Sequence, residues 1–265
     1  METNANATFA RHHAVITGGG RGIGAGIAEA LARCGASVSL IGRNAEVLQA
    51  TANRISKDYG VRVATASADV ADEAAVQKAM AAVRSALGAP TILVNNAGMA
   101  VSAPFLKSDS SFWRRVLDID LMGSVYCTQA VLPAMLESKW GRIVNIASTA
   151  GVTGLAYITT YCAAKHAMVG LTRSLAIETA RTGVTVNAVC PGYTDTDMTA
   201  QSISNIMQKT GRSREEAVAS LVSRNPQGKL IRPVEVADTV VWLCGESASS
   251  VTGQSIVIAG GELMP

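Results

Sequence analysis

The chain has 265 residues, of which 48% are hydrophobic, 16% are charged and 4% are aromatic. This composition excludes intrinsic disorder for most of the chain, because it supplies enough apolar area for one large core. The formal net charge of +3, with no block of like charges, argues against nucleic-acid binding. No apolar run is long enough to predict a membrane span.

Residues 1–11 are polar and lack the basic start and apolar stretch of a secretory signal, so we interpret them as a polar tail. The five cysteines are scattered and contain no Cys-x-x-Cys pair. This spacing argues against a disulfide framework and against a metal site. We therefore expect a cytoplasmic protein without a bound metal.

Short apolar runs alternate with longer helical patterns along almost the whole chain. Strands are predicted at residues 14–17, 37–41, 62–66, 91–94, 142–146, 185–189 and 255–258. Helices are predicted at residues 23–34, 45–59, 72–87, 111–136, 157–182 and 233–244. The alternation predicts an α/β fold with a doubly wound parallel sheet of about seven strands and helices on both faces. No linker-like composition divides the chain, so residues 1–265 are interpreted as one domain.

Residues 193–232 interrupt this alternation, because they are polar and lack a strand pattern. They include a capping box, Ser213-x-x-Glu216, which predicts one short helix. A connection of this length after the carboxyl end of a strand is typical of a substrate lid. A simple surface excursion is the alternative.

The first predicted strand leads into a glycine-rich turn at residues 17–24, TGGGRGIG, and then into a helix. Glycines allow the backbone to approach a pyrophosphate, whose charge suits the free N–H groups of a helix start. This placement between a strand and a helix favours dinucleotide binding over a purely structural turn. The candidate residues are Gly18, Gly20, Arg21, Gly22, Ile23 and Gly24.

The end of the second strand decides which dinucleotide is expected. An acidic residue there would bind the ribose 2′-hydroxyl of NAD, whereas an arginine accommodates the 2′-phosphate of NADP. The position carries Arg43, followed by Asn44, and Arg21 lies in the glycine-rich turn. Either arginine alone is also compatible with a solvated surface residue. Together they favour NADP(H), with NAD(H) as the alternative.

Three residues form a candidate catalytic set. Ser148 follows the fifth strand, and Tyr161 and Lys165 lie four residues apart on the next helix, on one face. A nearby ammonium lowers the pKa of a phenol, which a tyrosine needs in order to exchange protons near neutral pH. Each residue also has an ordinary structural interpretation. Tyr157 competes for the role of Tyr161, but no lysine lies four residues after it.

These motifs, together with Asn95-Asn96-Ala97-Gly98 and Pro191-Gly192, resemble those of the short-chain dehydrogenase/reductase family in its short, single-domain branch. The resemblance covers about residues 11–262. It implies a Rossmann-type sheet, usually in a homotetramer, and direct hydride transfer between nicotinamide and a ketone or secondary alcohol. It also implies that Tyr161 is the general acid/base, that Lys165 lowers its pKa and holds the nicotinamide ribose, and that Ser148 orients the carbonyl.

The resemblance implies further cofactor contacts. Asp69 and Val70 would face the adenine, Asn96 would support the cofactor side of the site, and Thr196 would contact the carboxamide. The remaining expected cofactor residues are Ala97, Gly98, Pro191, Gly192 and Thr194.

Asp120 departs from the family pattern, which usually has an asparagine at this fourth active-site position. In the family the backbone carbonyl of that residue holds a water linked to the lysine, so a backbone role is compatible with aspartate. A carboxylate near Lys165 would alter the local titration. We therefore predict that Asp120→Asn retains activity and shifts its pH profile.

Residues 143–148 and 181–192 resemble 3-oxoacyl-thioester and polyketide ketoreductases, and the second tract with the lid also resembles hydroxyacyl-CoA dehydrogenases. The resemblance suggests a β-keto compound as substrate. The candidate substrate residues, each with core packing as the alternative, are Met99, Val152, Leu155, Tyr193 and Met198. Basic lid residues would meet CoA or a carrier protein, with a solvated surface as the alternative: Lys209, Arg212, Arg214, Arg224 and Lys229.

We therefore expect an NADP(H)-dependent oxidoreductase acting on a 3-oxoacyl thioester or a similar β-keto compound. An NAD(H)-dependent secondary alcohol or hydroxyacyl-CoA dehydrogenase is the alternative. A non-catalytic dinucleotide-binding regulator is more remote, because the Ser, Tyr and Lys are all retained. An isomerase or dehydratase on this fold would come from a longer chain with a separate substrate domain. Cysteine nucleophilic catalysis has no histidine in a matching constellation.

Overall fold

The structure is a computed structural model that describes residues 8–264, so residues 1–7 of the predicted polar tail lie outside the described residues. Seven strands form one sheet: β1 (His13–Thr17), β2 (Ser37–Gly42), β3 (Val63–Ser67), β4 (Ile92–Asn95), β5 (Gly141–Ile146), β6 (Val184–Pro191) and β7 (Ser255–Ile258). They are all parallel, in the order β3-β2-β1-β4-β5-β6-β7. The predicted doubly wound parallel sheet is confirmed.

Nine helices are present in the described part of the chain: α1 (Gly22–Arg33), α2 (Ala45–Tyr59), α3 (Glu73–Leu87), α4 (Ser110–Leu117), α5 (Gly123–Ser138), α6 (Thr159–Thr179), α7 (Asp197–Thr210), α8 (Arg214–Leu221) and α9 (Pro233–Cys244). The last begins at a proline and ends before Gly245, as its sequence predicts.

The two faces of the sheet are covered by different helices, because successive strand residues point to opposite sides. Ile16 and Leu40 pack in a core cluster with residues of α1, α2 and α9. Val15 and Ile41 pack in a second cluster with residues of α3 and α5. Strands covered on both faces have no solvated side, which explains their continuous apolar runs.

The order of the strands reverses between β1 and β4, which pair with Ile16 opposite Val94. Loops that leave neighbouring strands in opposite directions open a crevice at their carboxyl ends. The glycine-rich turn follows β1, and residues 95–98 follow β4. The fold therefore brings both predicted cofactor segments to this crevice.

The predicted helix at residues 111–136 is interrupted in the structure. A π-helical turn, Asp118–Met122, separates α4 from α5 and carries the buried Asp120. Ser110–Ser138 is the one described stretch that is long and apolar enough, by length and composition, to cross a membrane. In this structure the α5 part of the stretch packs against α3, β4 and β5, as a helix of the core of the fold does.

The helix predicted at residues 157–182 is shorter in the structure and spans Thr159–Thr179. Tyr157 cannot belong to it, because its φ of 67° lies in the left-handed region. This backbone conformation is uncommon for a residue other than glycine, and the residue's sequence context does not reveal it.

The predicted lid, residues 193–232, contains two helices, α7 and α8, where the sequence predicts one. Ser213 and Glu216 form the predicted capping box at the start of α8. The two ends of the segment meet, because Thr194 pairs with Ile231 and Ile231 N donates to the Tyr193 carbonyl at 2.9 Å. The segment therefore leaves and rejoins the fold at one place, and its role as a lid stays a prediction.

Candidate active site

The glycine-rich turn requires glycine for two separate reasons. Gly18 and Gly22 have φ values of 64° and 55°, in the left-handed region that disfavours other residues. Gly24 lies so close to the turn that a Cβ there would be 2.5 Å from Asn96 Nδ2 and closer still to the Gly18 carbonyl oxygen. Ile23, between them, is half-buried against the core under α1.

The start of α1 fits an anionic group. Arg21, its N-cap residue, makes no side-chain capping bond, and the first turn carries no acidic residue. By contrast, the side chains of Asn44 and Thr196 cap α2 and α7. The N–H groups at the start of α1 therefore remain available, and the helix dipole favours negative charge there. The residues present fit the pyrophosphate of a dinucleotide.

Arg21 and Arg43 lie at the same edge of the crevice, and both are exposed. The glycine-rich turn is tied to α2 by a bond from Thr51 Oγ1 to the Gly20 carbonyl at 2.8 Å, and Arg43 lies two residues before α2 begins. Arg21 also lies 3.9 Å from the Asp197 carboxylate in an exposed contact with the first residue of α7.

The predicted adenine residues lie at the end of β3. Val70 is buried, and it packs so closely against Gly123 that a Cβ at Gly123 would be 2.8 Å away. The Asp69 carboxylate accepts a bond from Ala71 N at 3.1 Å and lines a cavity of about 440 Å³ with Arg114 and Arg115. Asp69 thus faces an open space, whereas Val70 belongs largely to the core.

The segment after β4 is bonded to the segment after β1. Asn96 Nδ2 donates to the carbonyl oxygens of Thr17 at 2.9 Å and Gly18 at 3.3 Å. The backbone N–H groups of Asn96 and Ala97 both donate to Thr17 Oγ1. Asn96 therefore supports the cofactor crevice by fixing the glycine-rich turn.

Asn95 has a different role, because its side chain is buried between the sheet and the helices that cover it and does not face the crevice. Its Nδ2 donates to Asn145 Oδ1 at 2.8 Å and to Thr128 Oγ1 at 3.1 Å. Asn145 Nδ2 in turn donates to Thr172 Oγ1 at 2.8 Å. This buried polar chain connects β4, β5, α5 and α6, the elements that carry the candidate catalytic residues.

Ser148, Tyr161 and Lys165 converge at the carboxyl end of β5. Ser148 lies two residues after that strand and is half-buried, as is Tyr161. Lys165 is buried, its Nζ lies 5.6 Å from the centre of the Tyr161 ring, and it donates to the Ile146 carbonyl at 3.0 Å. The one-face placement expected from the spacing brings Tyr161 and Lys165 together.

Asp120 completes this group from the π-helical turn. Its carboxylate is completely buried and lies 3.2 Å from Lys165 Nζ. It also accepts bonds from Met99 N at 3.1 and 3.3 Å. Gly98 leaves room for it, since a Cβ there would be 2.6 Å from Asp120 Oδ1. The sequence indicated that Asp120 stood near Lys165, and the structure shows a direct ion pair.

Burial raises the pKa of the Tyr161 phenol, and the Asp120 carboxylate adds to this rise. Lys165 lowers that pKa, as the sequence predicts, and the Ser148 hydroxyl acts in the same direction. The effect of burial is the largest, so the net direction is upward. Burial of Lys165 favours its neutral amine, but Asp120 and Tyr161 outweigh this and raise its pKa.

The segment between β6 and α7 lies against the glycine-rich turn. Pro191 is the buried last residue of β6, and Gly192 N donates to the Ile258 carbonyl at 3.0 Å. Thr194 is buried, with its hydroxyl on the Gly192 carbonyl at 3.0 Å. Thr196 caps α7, and its methyl carbon lies 3.3 Å from where a Gly22 Cβ would be. These contacts place the start of the lid beside the predicted pyrophosphate site.

The candidate substrate residues differ in exposure. Tyr193 and Met198 are exposed, at 40% and 47%, and Met99 is half-buried beside Asp120. Val152 packs against a small core cluster under α6, which is the core alternative, while Leu155 is half-buried in the loop before Tyr157.

Two exposed residues on the loops beside the candidate site are not among the predicted substrate residues. Tyr157, four residues before Tyr161 in the chain, is 67% exposed, and its carbonyl accepts a bond from Ala103 N at 2.8 Å. Phe105, two residues beyond that bond, is 61% exposed. Large exposed apolar side chains at a crevice are typical of a binding surface. No local pattern marks them, because exposure depends on the loops that meet there.

Comparison with known proteins agrees with this geometry. The short chain dehydrogenase family model matches residues 12–206. A 3-oxoacyl-[acyl-carrier-protein] reductase from Aquifex aeolicus is 38% identical over 247 residues, covering 93% of this chain and 95% of the relative. A D-beta-hydroxybutyrate dehydrogenase from Cupriavidus necator is 37% identical over 255 residues, covering 94% and 96%.

Solved structures show the same similarity. The actinorhodin polyketide ketoreductase with NADPH has a TM-score of 0.90 at 38% identity, covering 95% of this chain and 97% of its own. The L-sorbose reductase from Gluconobacter frateurii, complexed with NADPH and L-sorbose, has a TM-score of 0.93 at 29% identity, covering 98% and 99%. The chain therefore belongs to the short-chain dehydrogenase/reductase family and is an oxidoreductase that acts on CH–OH groups with NAD(P).

Proposed function

We propose that the protein is an NADP(H)-dependent reductase of a 3-oxoacyl thioester or a similar β-keto compound. The observation that carries the proposal is the convergence of Ser148, Tyr161 and Lys165 beside a crevice that fits a dinucleotide. These residues supply a hydroxyl donor, a phenolic proton and a buried cation at one place, which is what carbonyl reduction requires.

A nicotinamide cofactor held in this crevice would supply the hydride for reduction of the carbonyl carbon and would accept it in the reverse direction. Tyr161 donates its phenolic proton to the carbonyl oxygen, so that hydride and proton together give the alcohol. The Ser148 hydroxyl donates a hydrogen bond to the same oxygen. Lys165 stabilises the phenolate that remains on Tyr161, through its charge and its position on the same helix face.

The preference for NADP(H) is supported by the pair of exposed arginines, Arg21 and Arg43, and by the lack of an acidic residue at the end of β2. The solved structures of two similar reductases carry NADPH. An NAD(H)-dependent secondary alcohol or hydroxyacyl-CoA dehydrogenase is the second candidate, supported by the similar D-beta-hydroxybutyrate dehydrogenase.

The thioester substrate is supported by the similar 3-oxoacyl-[acyl-carrier-protein] reductase. The lid carries exposed basic residues, Lys209, Arg212, Arg214, Arg224 and Lys229, that suit CoA phosphates or an acidic carrier protein. Arg224 also lies 3.8 Å from the Glu262 carboxylate. The homotetramer implied by the family resemblance stays a prediction, and so does the cytoplasmic location expected from the scattered cysteines and the lack of a secretory signal pattern.

A substrate panel tests the function. Initial rates are measured with NADPH and with NADH on simple ketones, β-keto esters and 3-oxoacyl thioesters, and with the matching alcohols in reverse. We expect the highest kcat/KM for NADPH with a β-keto compound. Turnover of none of these compounds would contradict the enzymatic proposal, whereas higher efficiency with NADH would favour the second candidate.

The cofactor assignment is tested by Arg43→Asp, with Arg62→Asp as the matched control. Both residues are exposed arginines next to a strand, but Arg43 follows the carboxyl end of β2, whereas Arg62 precedes the neighbouring strand β3 at the amino-terminal end of the sheet. We expect Arg43→Asp to weaken NADPH use about tenfold or more relative to NADH use, because a charge-assisted bidentate contact is lost and repulsion is added. Equal losses with both cofactors would show that Arg43 does not contact the 2′-phosphate.

The proton-transfer role is tested by Tyr161→Phe, with Tyr157→Phe as control. Tyr161→Phe removes the proton donor and we expect kcat to fall by about 100-fold or more, with cofactor affinity retained. Tyr157→Phe removes a phenolic hydroxyl four residues earlier in the chain, outside α6, and leaves the proposed proton donor intact. Substantial residual activity in Tyr161→Phe would assign proton transfer to another group.

A further inference from the structure

The buried ion pair between Asp120 and Lys165 changes the charge that Tyr161 experiences. Lys165 and Asp120 are 3% and 0% exposed, and their charged atoms lie 3.2 Å apart. An unpaired ammonium at this place would stabilise a phenolate on Tyr161, whereas an ammonium with a carboxylate against it is a nearly neutral pair. The field that favours the phenolate is therefore reduced.

The contacts of Asp120 indicate that it is the ionised carboxylate. Every hydrogen-bonding partner that the structure gives it is a donor, namely Lys165 Nζ and the Met99 backbone N–H. A protonated carboxyl would need an acceptor for its own proton. Burial raises the pKa of Asp120 above its ordinary value, and the Lys165 ammonium and the Met99 N–H only partly oppose that rise, so the ionised form is assigned from the donor contacts.

The other titratable groups around the site do not replace this effect. Cys190 on β6 faces Lys165, and its pKa is raised by burial to about 11, so its thiol is neutral at physiological pH. Cys162 lies next to Tyr161 on α6. Lys165 and Asp120 are thus the charged side chains that act on Tyr161 among the described residues.

We propose that Asp120 is a positioning residue that keeps Tyr161 in its protonated form across the neutral range and so adapts the site to ketone reduction. Asp120 acts through Lys165: it holds the ammonium at the end of β5, where Lys165 Nζ donates to the Ile146 carbonyl, and it offsets the charge of the ammonium. Reduction consumes the phenolic proton, so its rate should stay at its maximum until the pH is alkaline enough to ionise Tyr161. Oxidation of the alcohol needs the phenolate as base and is confined to alkaline pH. This inference rests on the proposed function of Tyr161.

The experiment compares the native enzyme with Asp120→Asn, and with Asp118→Asn as matched control. Asparagine keeps an oxygen for the Met99 N–H and removes the charge. Asp118 lies on the same π-helical turn but is exposed. The pH dependence of kcat/KM is measured for reduction and for oxidation, and ionisation of Tyr161 is followed by tyrosinate absorbance in the cofactor-free protein. Subtracting the spectrum of the Tyr161→Phe variant isolates this residue from the four other tyrosines.

In Asp120→Asn we expect the alkaline fall of the reduction profile and the rise of the oxidation profile both to move to lower pH, by about one to three units. The tyrosinate titration should move in the same direction, and oxidation at neutral pH should become several-fold faster. Asp118→Asn should match the native protein. Unchanged profiles and an unchanged titration in Asp120→Asn would overturn the inference.

The tyrosinate titration of the native protein, with the Tyr161→Phe spectrum subtracted, provides a second test that does not depend on the folding of Asp120→Asn. We expect no ionisation of Tyr161 below about pH 10 in the cofactor-free native protein, the ordinary range of a phenol. A native Tyr161 that ionises near neutral pH would overturn the inference, whatever the activity. If the titration behaves as expected but no substrate is turned over, the proposed function fails while the charge effect of Asp120 stands.

Discussion

Replacing Gly24 by alanine should damage the cofactor crevice, although the same substitution improves most helices. Gly24 lies in the first turn of α1, and its added Cβ would be 2.5 Å from Asn96 Nδ2 and closer to the Gly18 carbonyl oxygen. Neither group can give way freely. Gly18 is held in the left-handed region, and Asn96 Nδ2 is bonded to the Thr17 carbonyl at 2.9 Å.

The magnitude follows from the same contacts. Overpacking at a rigid site costs about 1–3 kcal/mol, and displacement of the Asn96 amide adds about 0.5–1.5 kcal/mol for a lost hydrogen bond. The gain in helix propensity from glycine to alanine offsets at most about 1 kcal/mol. We therefore expect Gly24→Ala to lower the free energy of unfolding by about 1–3 kcal/mol and to weaken NADPH binding.

Gly26→Ala is the matched control, because it lies two residues further along the same helix. A Cβ there would be 3.5 Å from Pro233 Cβ, an ordinary van der Waals contact. This variant should be up to about 1 kcal/mol more stable than the native protein. The assay is urea unfolding of all three proteins, together with a fluorescence titration of NADPH. A Gly24→Ala variant as stable as Gly26→Ala, with unchanged NADPH affinity, would refute the reasoning.

Three further predictions concern pH, backbone strain and the lid. Burial lowers the pKa of His13 below its usual 6.5, and its ring nitrogens contact Ser39 Oγ at 2.7 Å and the Gly88 carbonyl at 2.8 Å. The unfolded chain therefore binds the proton more readily, so stability to urea should fall as the pH drops below about 6.5, and His13→Gln should show a smaller fall. Tyr157 has a φ of 67°, which glycine tolerates and a β-branched residue tolerates poorly. In thermal unfolding, Tyr157→Gly should therefore be at least as stable as the native protein, and Tyr157→Ile should be less stable by about 1–2 kcal/mol. The Asn225 side chain donates to the Lys229 carbonyl at 2.8 Å and accepts from Gln227 N at 2.8 Å. Asn225→Ala should therefore speed tryptic cleavage within residues 195–230. Unchanged cleavage would show that these two bonds do not hold the predicted lid in place.

Much of the fold could be predicted because its signals are local. Continuous apolar runs and helical spacing placed all seven strands, and α2 and α9 have the predicted bounds. The short helix α8 was predicted from its capping box, but α7 was missed. The segment that forms α7 is polar overall, and the helix buries only Thr199 and Ile203, so no run of apolar residues marks it in the sequence.

The parts of the candidate site that could be predicted are also those with local signals in the sequence. The spacing of Tyr161 and Lys165 follows from the geometry of one helix, and the glycine-rich turn from its place between a strand and a helix. The sequence did not predict that Tyr157 and Phe105 would be exposed beside the site. Residues 99–108 approach the loop before α6 through a contact between distant parts of the chain, which no local pattern marks.

By itself, the sequence determined the α/β alternation, the dinucleotide crevice and the identity of the groups that meet there, because each depends on residues within a strand, a turn or a helix. The tertiary structure decided what those groups do to one another. It buried Asp120 against Lys165 and brought the first residues of the predicted lid onto the glycine-rich turn. It also buried Tyr161, and this burial outweighs the lowering of the Tyr161 pKa by Lys165. Burial and charge–charge distance are set by packing between elements far apart in the chain, and both determine the cost of ionising a side chain.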